Sequence, residues 1–296
     1  MHRDKERVMF LLSVTTTPPH ALMQLLRLLK TSSPTPRVFG LYHCLMLLLG
    51  AVLVYVLWKY FRDASDHTMR TIVCVFWVVL IVLEIMKEVI TSYRISGDTV
   101  VWKYPWSIFP FQLCSTPFYV LPFVAFLKDG FVRRAFMAYS STYALLGGLI
   151  VLFTPGSVFS GSLLINMQTM VHHILQMAVG VYIAIHERYD MGRRHLVGGF
   201  GIFAGLLSIA VILNEKMHAY FVANGISQHF NMFFVSPYYP GPIGFINEWH
   251  AEMHPMLFVA LYALGFTIVS ILLCRILQAA ALTYDKTERR ALPWRR

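Results

Sequence analysis

The sequence predicts an all-α, polytopic membrane helix bundle of about seven transmembrane helices, with a re-entrant segment before the last. Three observations carry this reading. Of the 296 residues, 57% are hydrophobic and 14% charged, where soluble domains carry roughly 25% charged residues. The mean hydropathy is +0.58. The apolar residues also fall in runs close to the ~20 residues that cross a bilayer core as a helix. A soluble globular enzyme is excluded, and so is a disordered chain, whose apolar content would be far lower.

Residues 1–37 read as an N-terminal arm, 38–274 as one transmembrane domain and 275–296 as a basic tail. The opening MHRDKERVMFLLSV has too short an apolar run for a signal peptide and no clear small-residue cleavage site, so it is expected to be retained. His20 to Lys30 places leucines at helical spacing beside Arg27 and Lys30, the pattern of an interfacial amphipathic helix. Pro34 and Pro36 separate it from the first span. The spans are read at 38–58, 71–90, 106–127, 135–153, 163–185, 196–213 and 251–274. Glu84, Lys87 and Glu88 burden the second run, and the sixth could continue through Tyr220 and Phe221, so counts of six or eight stay open.

Charge sets the orientation. Fifteen Lys and Arg residues fall on the side of the C-terminal tail and ten on the other, six of these ten in the N-terminal arm. The excess predicts a cytoplasmic C-terminus. The net charge of +10 is then explained by basic loops that meet anionic lipid head groups. No basic stripe with interleaved aromatics marks a nucleic-acid surface. The four cysteines, Cys44, Cys74, Cys114 and Cys274, lie in or beside apolar runs and do not read as a disulfide framework.

Polar groups inside a hydrocarbon slab are expensive, so their positions point to function. In the fifth span Asn166, Gln168, Thr169, His172, His173, Gln176 and Gly180 share an arc of about 160° at helical periodicity. Lipid cannot satisfy amides and imidazoles, so this arc must face protein or a wet cavity. The third span, WSIFPFQLCSTPFYVLPFVAFL, is punctuated by Pro110, Pro117 and Pro122. Pro117 should leave the Leu113 carbonyl without its usual helical donor and kink the helix at Cys114, near mid-depth and facing the histidines. A cysteine beside an imidazole suggests covalent catalysis, because the imidazole can take the thiol proton.

His250 and His254 in INEWHAEMHP have the i, i+4 spacing that can hold zinc on one helix face, or belong to the start of an interfacial helix. The preceding NGISQHFNMFFVSPYYPGPIGF is too broken for a span and too aromatic for a solvated loop. It reads as a cavity-lining lid with Asn231 and Tyr238 as polar contacts. Glu84, Lys87 and Glu88 read as an interfacial ion network, and the glycines of GGFGIFAG as close-packing positions.

The PFQLC segment in a proline-broken third span, the histidine-bearing fifth span and NMFFVSP before the last helix resemble the YwaF-like integral membrane family. That family includes the eukaryotic transmembrane acyltransferase of polyunsaturated ether phospholipids. The resemblance covers roughly residues 58–273. It implies a thiol acyltransferase that needs no coenzyme A or other cofactor and works on phospholipids and lysophospholipids. In a eukaryote, it implies the endoplasmic reticulum membrane. Cys114 would carry the acyl group as a thioester, with His172 as base and His173 as its stand-in. Gln112, Asn166, Gln168, Thr169, Gln176, Asn231 and Tyr238 are the candidate substrate contacts. The chain departs from the family in Gln112, where many relatives have histidine, and in the His250/His254 pair. Two alternatives stay open. One is a zinc-dependent lipid amide hydrolase, similar to seven-helix ceramidase-like proteins; the other is a transporter or receptor that uses the polar arc for binding.

Overall fold

A computed structural model describes residues 13–241 and 244–291. The expectations for Arg3, Lys5, Arg7, Arg295, Arg296 and the apolar run at 8–12 lie outside the described residues. The chain forms an all-α membrane bundle. Its helices are α1 (His20–Leu29), α2 (Leu41–Phe61), α3 (Asp66–Thr91), α4 (Pro117–Phe126), α5 (Phe131–Phe153), α6 (Leu163–His186), α7 (Arg193–Asn224), α8 (Gly244–Glu252) and α9 (Pro255–Ala291). Five of them, α2, α5, α6, α7 and α9, are long and apolar enough to cross a bilayer. All seven expected runs are helical, but α3 keeps its charges and the third run is only a half-length helix. α7 runs on to Asn224, as Tyr220 and Phe221 allowed. α9 continues past Cys274 to Ala291, where a separate tail was expected.

One end carries a small antiparallel sheet that the sequence reading did not foresee. Strands β1 (Val14–Thr16), β2 (Tyr93–Ser96) and β3 (Thr99–Trp102) pair in the order β1-β3-β2. Gly97 turns the β2–β3 hairpin with a φ of 58°, a left-handed conformation that glycine adopts without steric cost. α1 lays Met23 and Leu26 on Tyr93 and Val100 of the sheet. Its outward leucines, Leu22, Leu25 and Leu28, stay exposed, as suits an interfacial helix.

α6 forms the axis of the bundle, packed by α2, α3, α5 and α9. Close approach to α5 depends on Gly180, where a Cβ would meet the Leu145 Cβ at 2.8 Å and the Ser140 carbonyl at 2.9 Å. Gly199 likewise brings α7 against the Tyr139 backbone. Gly201 and Gly205 of the same GGFGIFAG run face nothing within 4 Å and take no part in this packing. At its middle α5 opens into a π-helical turn, Ser140–Ala144, buried throughout; such turns recur at functional sites.

At the end opposite the sheet, Arg188 donates to Asp285 at 2.7 Å and pairs with Asp63, while Arg62 donates to Glu288 at 2.6 Å. This cluster ties the α2–α3 and α6–α7 loops to the extension of α9.

Candidate active site

The third span is not a kinked helix. Before Pro117 the chain makes two 3-10 turns, Trp106–Ile108 and Leu113–Ser115, and Pro117 is the first residue of α4. Proline suits that position because the amide it lacks would have had no helical partner anyway. The Leu113 carbonyl is satisfied by the Thr116 hydroxyl at 2.7 Å. Pro122 frees the Phe118 carbonyl inside α4, and the Trp77 indole donates to it at 3.0 Å. The last carbonyls of α4 are taken by arginines: Arg133 donates to Val124 at 2.8 Å and Arg70 to Ala125 at 2.9 Å. Cys114 lies in the 3-10 turn just before α4 and twelve residues before its end at Phe126.

His172 and Cys114 meet, through the backbone. His172 Nε2 donates to the Cys114 carbonyl at 3.0 Å; a carbonyl can only accept, so Nε2 holds the proton and Nδ1 carries a lone pair. His173 Nδ1 donates to the Thr169 carbonyl at 2.6 Å, which leaves Nε2 as the acceptor. Gln176 donates to the Ala144 carbonyl of the π turn at 2.7 Å. His172 Nδ1, His173 Nε2 and Gln176 Oε1 are all buried without a hydrogen-bond partner among the described residues. Three orphaned acceptors on one helix are costly unless water or a ligand donates to them.

The remaining polar candidates divide. Asn166 accepts from the Ser160 amide and donates to the Ser160 carbonyl, both at 2.8 Å, closing the loop before α6. Gln168 and Thr169 are buried on the arc. Gln112 donates to the Asn231 carbonyl at 2.7 Å and accepts from the Phe233 amide at 2.9 Å. The Asn231 side chain binds Tyr239, Pro240 and Ser236 backbone groups of its own loop. Both amides therefore hold the 231–236 segment in place, with Asn214 gripping Met232 through its amide and carbonyl. That segment is internal: Phe230, Met232, Phe233 and Val235 are all buried. Phe233 and Phe234 both have φ near 56°, a strained conformation for a bulky residue. Tyr238 is exposed, stacked on His218 at 3.5 Å and bonded to Glu215.

Cys114, Gln112, Phe234, Asn247 and His250 line one partly open cavity of about 510 Å³. Through Ile150, Phe258, Tyr262 and Phe266 it adjoins an apolar groove of about 750 Å³. The groove runs along the exposed, lipid-like face of α9 at Leu261, Leu264, Ile268 and Val269. Cys114 is a free thiol.

Sequence reasoning missed the environment of Lys87. Glu84 is buried, Lys87 Nζ bonds it at 2.6 Å, and Lys87 lies in electrostatic range of Cys114, His172 and His173. Its spacing to Glu84 and Glu88 was visible, but its inward direction was not. In the segment outside the spans, burial and a hydrogen bond to Glu88 push the Tyr104 phenol up.

The zinc reading fails on geometry. His250 ends α8 and stacks on Phe258, while His254 lies beyond the break at residue 253 and caps the Met256 amide. The pair does not share one helix face, and no group of three or more His, Cys, Asp or Glu side chains among the described residues could hold a metal ion.

The model of the TMEM164 family matches residues 38–278. The match carries that description and not the YwaF-like one expected from the residues. No curated protein and no solved structure matches the chain.

Proposed function

We propose, from the premise that the chain belongs to the TMEM164 family, that it is an integral membrane thiol acyltransferase moving fatty acyl groups between phospholipids without coenzyme A. One observation carries the reading: Cys114, a free cysteine, lines a cavity that shares a wall with an apolar groove on the exposed face of α9. A nucleophile there reaches acyl esters that stay in the membrane.

In the first step the Cys114 sulfur attacks the acyl ester carbonyl of a donor phospholipid. The C–O bond breaks, and the thiol proton passes to the departing alkoxide to give a lysophospholipid. His172 mediates this transfer through Nδ1, its lone-pair nitrogen, while its Nε2–H braces the Cys114 carbonyl; His173 is the neighbouring substitute. In the second step a lysophospholipid hydroxyl attacks the thioester, the C–S bond breaks and the sulfur regains a proton. The basic loops around the α9 extension would meet anionic head groups at a cytoplasmic face.

The test is to incubate the purified full chain with a diacyl phosphatidylcholine carrying a tagged acyl chain and to quench in acid. A hydroxylamine-labile tag on Cys114, absent from Cys114→Ser, is expected. Acyl exchange by Cys114→Ser at the rate of the unaltered chain removes the reading.

A further inference from the structure

Glycine weakens a helix interior relative to alanine, so each one inside a span asks for a compensating use. At Gly50, Gly148, Gly180 and Gly199 the use is packing: a Cβ would meet a neighbouring helix within 3.3 Å. Gly265, the single glycine of α9, has no such neighbour, and a Cβ there meets nothing within 4 Å. Leu261 and Val269, four residues to either side on the same helix face, are both exposed. Gly265 is therefore a notch in a row of large apolar side chains. Gly201 and Gly205 of α7 are equally bare, but neither lines the Cys114 cavity or the apolar groove beside it, whereas Gly265 lines the groove.

Across the groove from this notch stand Leu146 and Ile150 of α5, with Trp249 and Met253 at the α8 end. Among the described residues no charged side chain lines the groove, so its occupant is hydrocarbon. The α9 residues that line it run from Phe258 to Val269, about 16 Å at a helical rise. That is close to one leaflet, roughly half of a ~30 Å core, and so to the length of a single lipid tail. Ile150, Phe258, Tyr262 and Phe266 are walls of this groove and of the Cys114 cavity alike. The shared wall favours a substrate tail over a second copy of the chain as the occupant.

We infer that this groove holds the fatty acyl tail of the donor phospholipid, and that Gly265 determines specificity by leaving room for a long one. The inference rests on the acyltransferase reading above. Each methylene that the groove takes in is removed from competition with bulk lipid by contact with apolar walls on three sides. A larger side chain at position 265 fills the notch and shortens the tail that fits.

The experiment presents the full chain with phosphatidylcholine bearing tagged octanoyl or tagged oleoyl tails and follows the hydroxylamine-labile tag on Cys114. Gly265→Leu should lower the ratio of oleoyl to octanoyl loading about 10-fold or more, as expected for roughly two methylenes denied burial. Gly201→Leu, on bare helix outside the groove, should keep the ratio. A second arm needs no transfer. In Cys114→Ser, a phosphatidylcholine with a diazirine at the tail end should label groove residues such as Leu261 and Val269, and adding Gly265→Leu should remove those adducts. An unchanged ratio in Gly265→Leu overturns the inference, whether both loadings fall or neither does. Adducts spread evenly over the exposed helix faces also overturn it, marking annular lipid only. So does a changed oligomeric state with the ratio kept, which marks a second copy as the occupant. If the unaltered chain loads neither tail, the acyltransferase reading itself falls, and the photolabel alone then decides whether the groove takes a tail.

Discussion

Replacing Gln112 by methionine deletes the amide that staples the aromatic loop to the cysteine turn while keeping the side chain's length. The Asn231 carbonyl and the Phe233 amide then lose partners held at 2.7 and 2.9 Å. A buried backbone group left unpaired costs about 1–3 kcal/mol, so the two together set a ceiling of about 6 kcal/mol. Gln112 borders the cavity, so water can replace part of the loss, and we expect about 2–4 kcal/mol. At roughly 2–4 °C per kcal/mol for a chain of this size, the melting midpoint in detergent should drop by about 4–16 °C. The strained Phe233 and Phe234 backbone relaxes once unpinned, and Phe234 walls the cavity, so alkylation of Cys114 by an apolar maleimide should change as well. Gln112→Glu keeps the acceptor for Phe233 but sets an oxygen against the Asn231 carbonyl, and should fall between the two. An unchanged midpoint with unchanged Cys114 alkylation would refute the reasoning.

Three other consequences are open to measurement. Gly180→Ala places a methyl against Leu145 and Ser140 and should cost about 1–3 kcal/mol, whereas Gly201→Ala meets nothing and should stabilise α7 by roughly 0.5–1 kcal/mol; thermal melts of both variants test the contrast. Arg188→Met leaves Asp285, whose side chain is 10% exposed, with Tyr189 and a longer contact to Arg62. A loss of about 2–4 kcal/mol is expected, against less than about 1 kcal/mol for Arg27→Met at the exposed Arg27–Asp98 pair. In the α4–α5 loop, the paired Arg134 guanidinium holds the Asp129 carboxyl below its ordinary range. Because the folded value is depressed, its contribution to stability is present above about pH 4 and is lost as pH falls through the lower folded value. Melting midpoints of Asp129→Asn should therefore decline less steeply in acid than those of the unaltered chain.

The bundle was legible because hydrocarbon-length runs admit few other structures. The 163–185 run also announced its interior position, since seven polar or small residues on one arc have no place in lipid. Three features were hidden. The 93–102 hairpin has strands of only four residues each, and its third partner, Val14–Thr16, is remote in sequence, so no local period marks it. The prolines of the third span showed that the helix is interrupted. Whether it bends or simply begins at Pro117 depends on Thr116, Trp77, Arg70 and Arg133, donors that only the tertiary fold brings to the freed carbonyls. The pairing of His172 with a main-chain carbonyl, and the seat of His250 in the cavity wall, follow from contacts across 58 and more residues, which spacing does not encode.

α9 has 37 residues and so measures about 55 Å, nearly twice the ~30 Å hydrocarbon thickness. It is a lever. Asp285 anchors one arm to Arg188, and Leu261, about 36 Å away along the axis, forms part of the groove on the other. Each degree of tilt about that anchor carries the groove wall by roughly 0.6 Å. A tilt imposed at the Arg188–Asp285 end would therefore widen or narrow the apolar groove at the other.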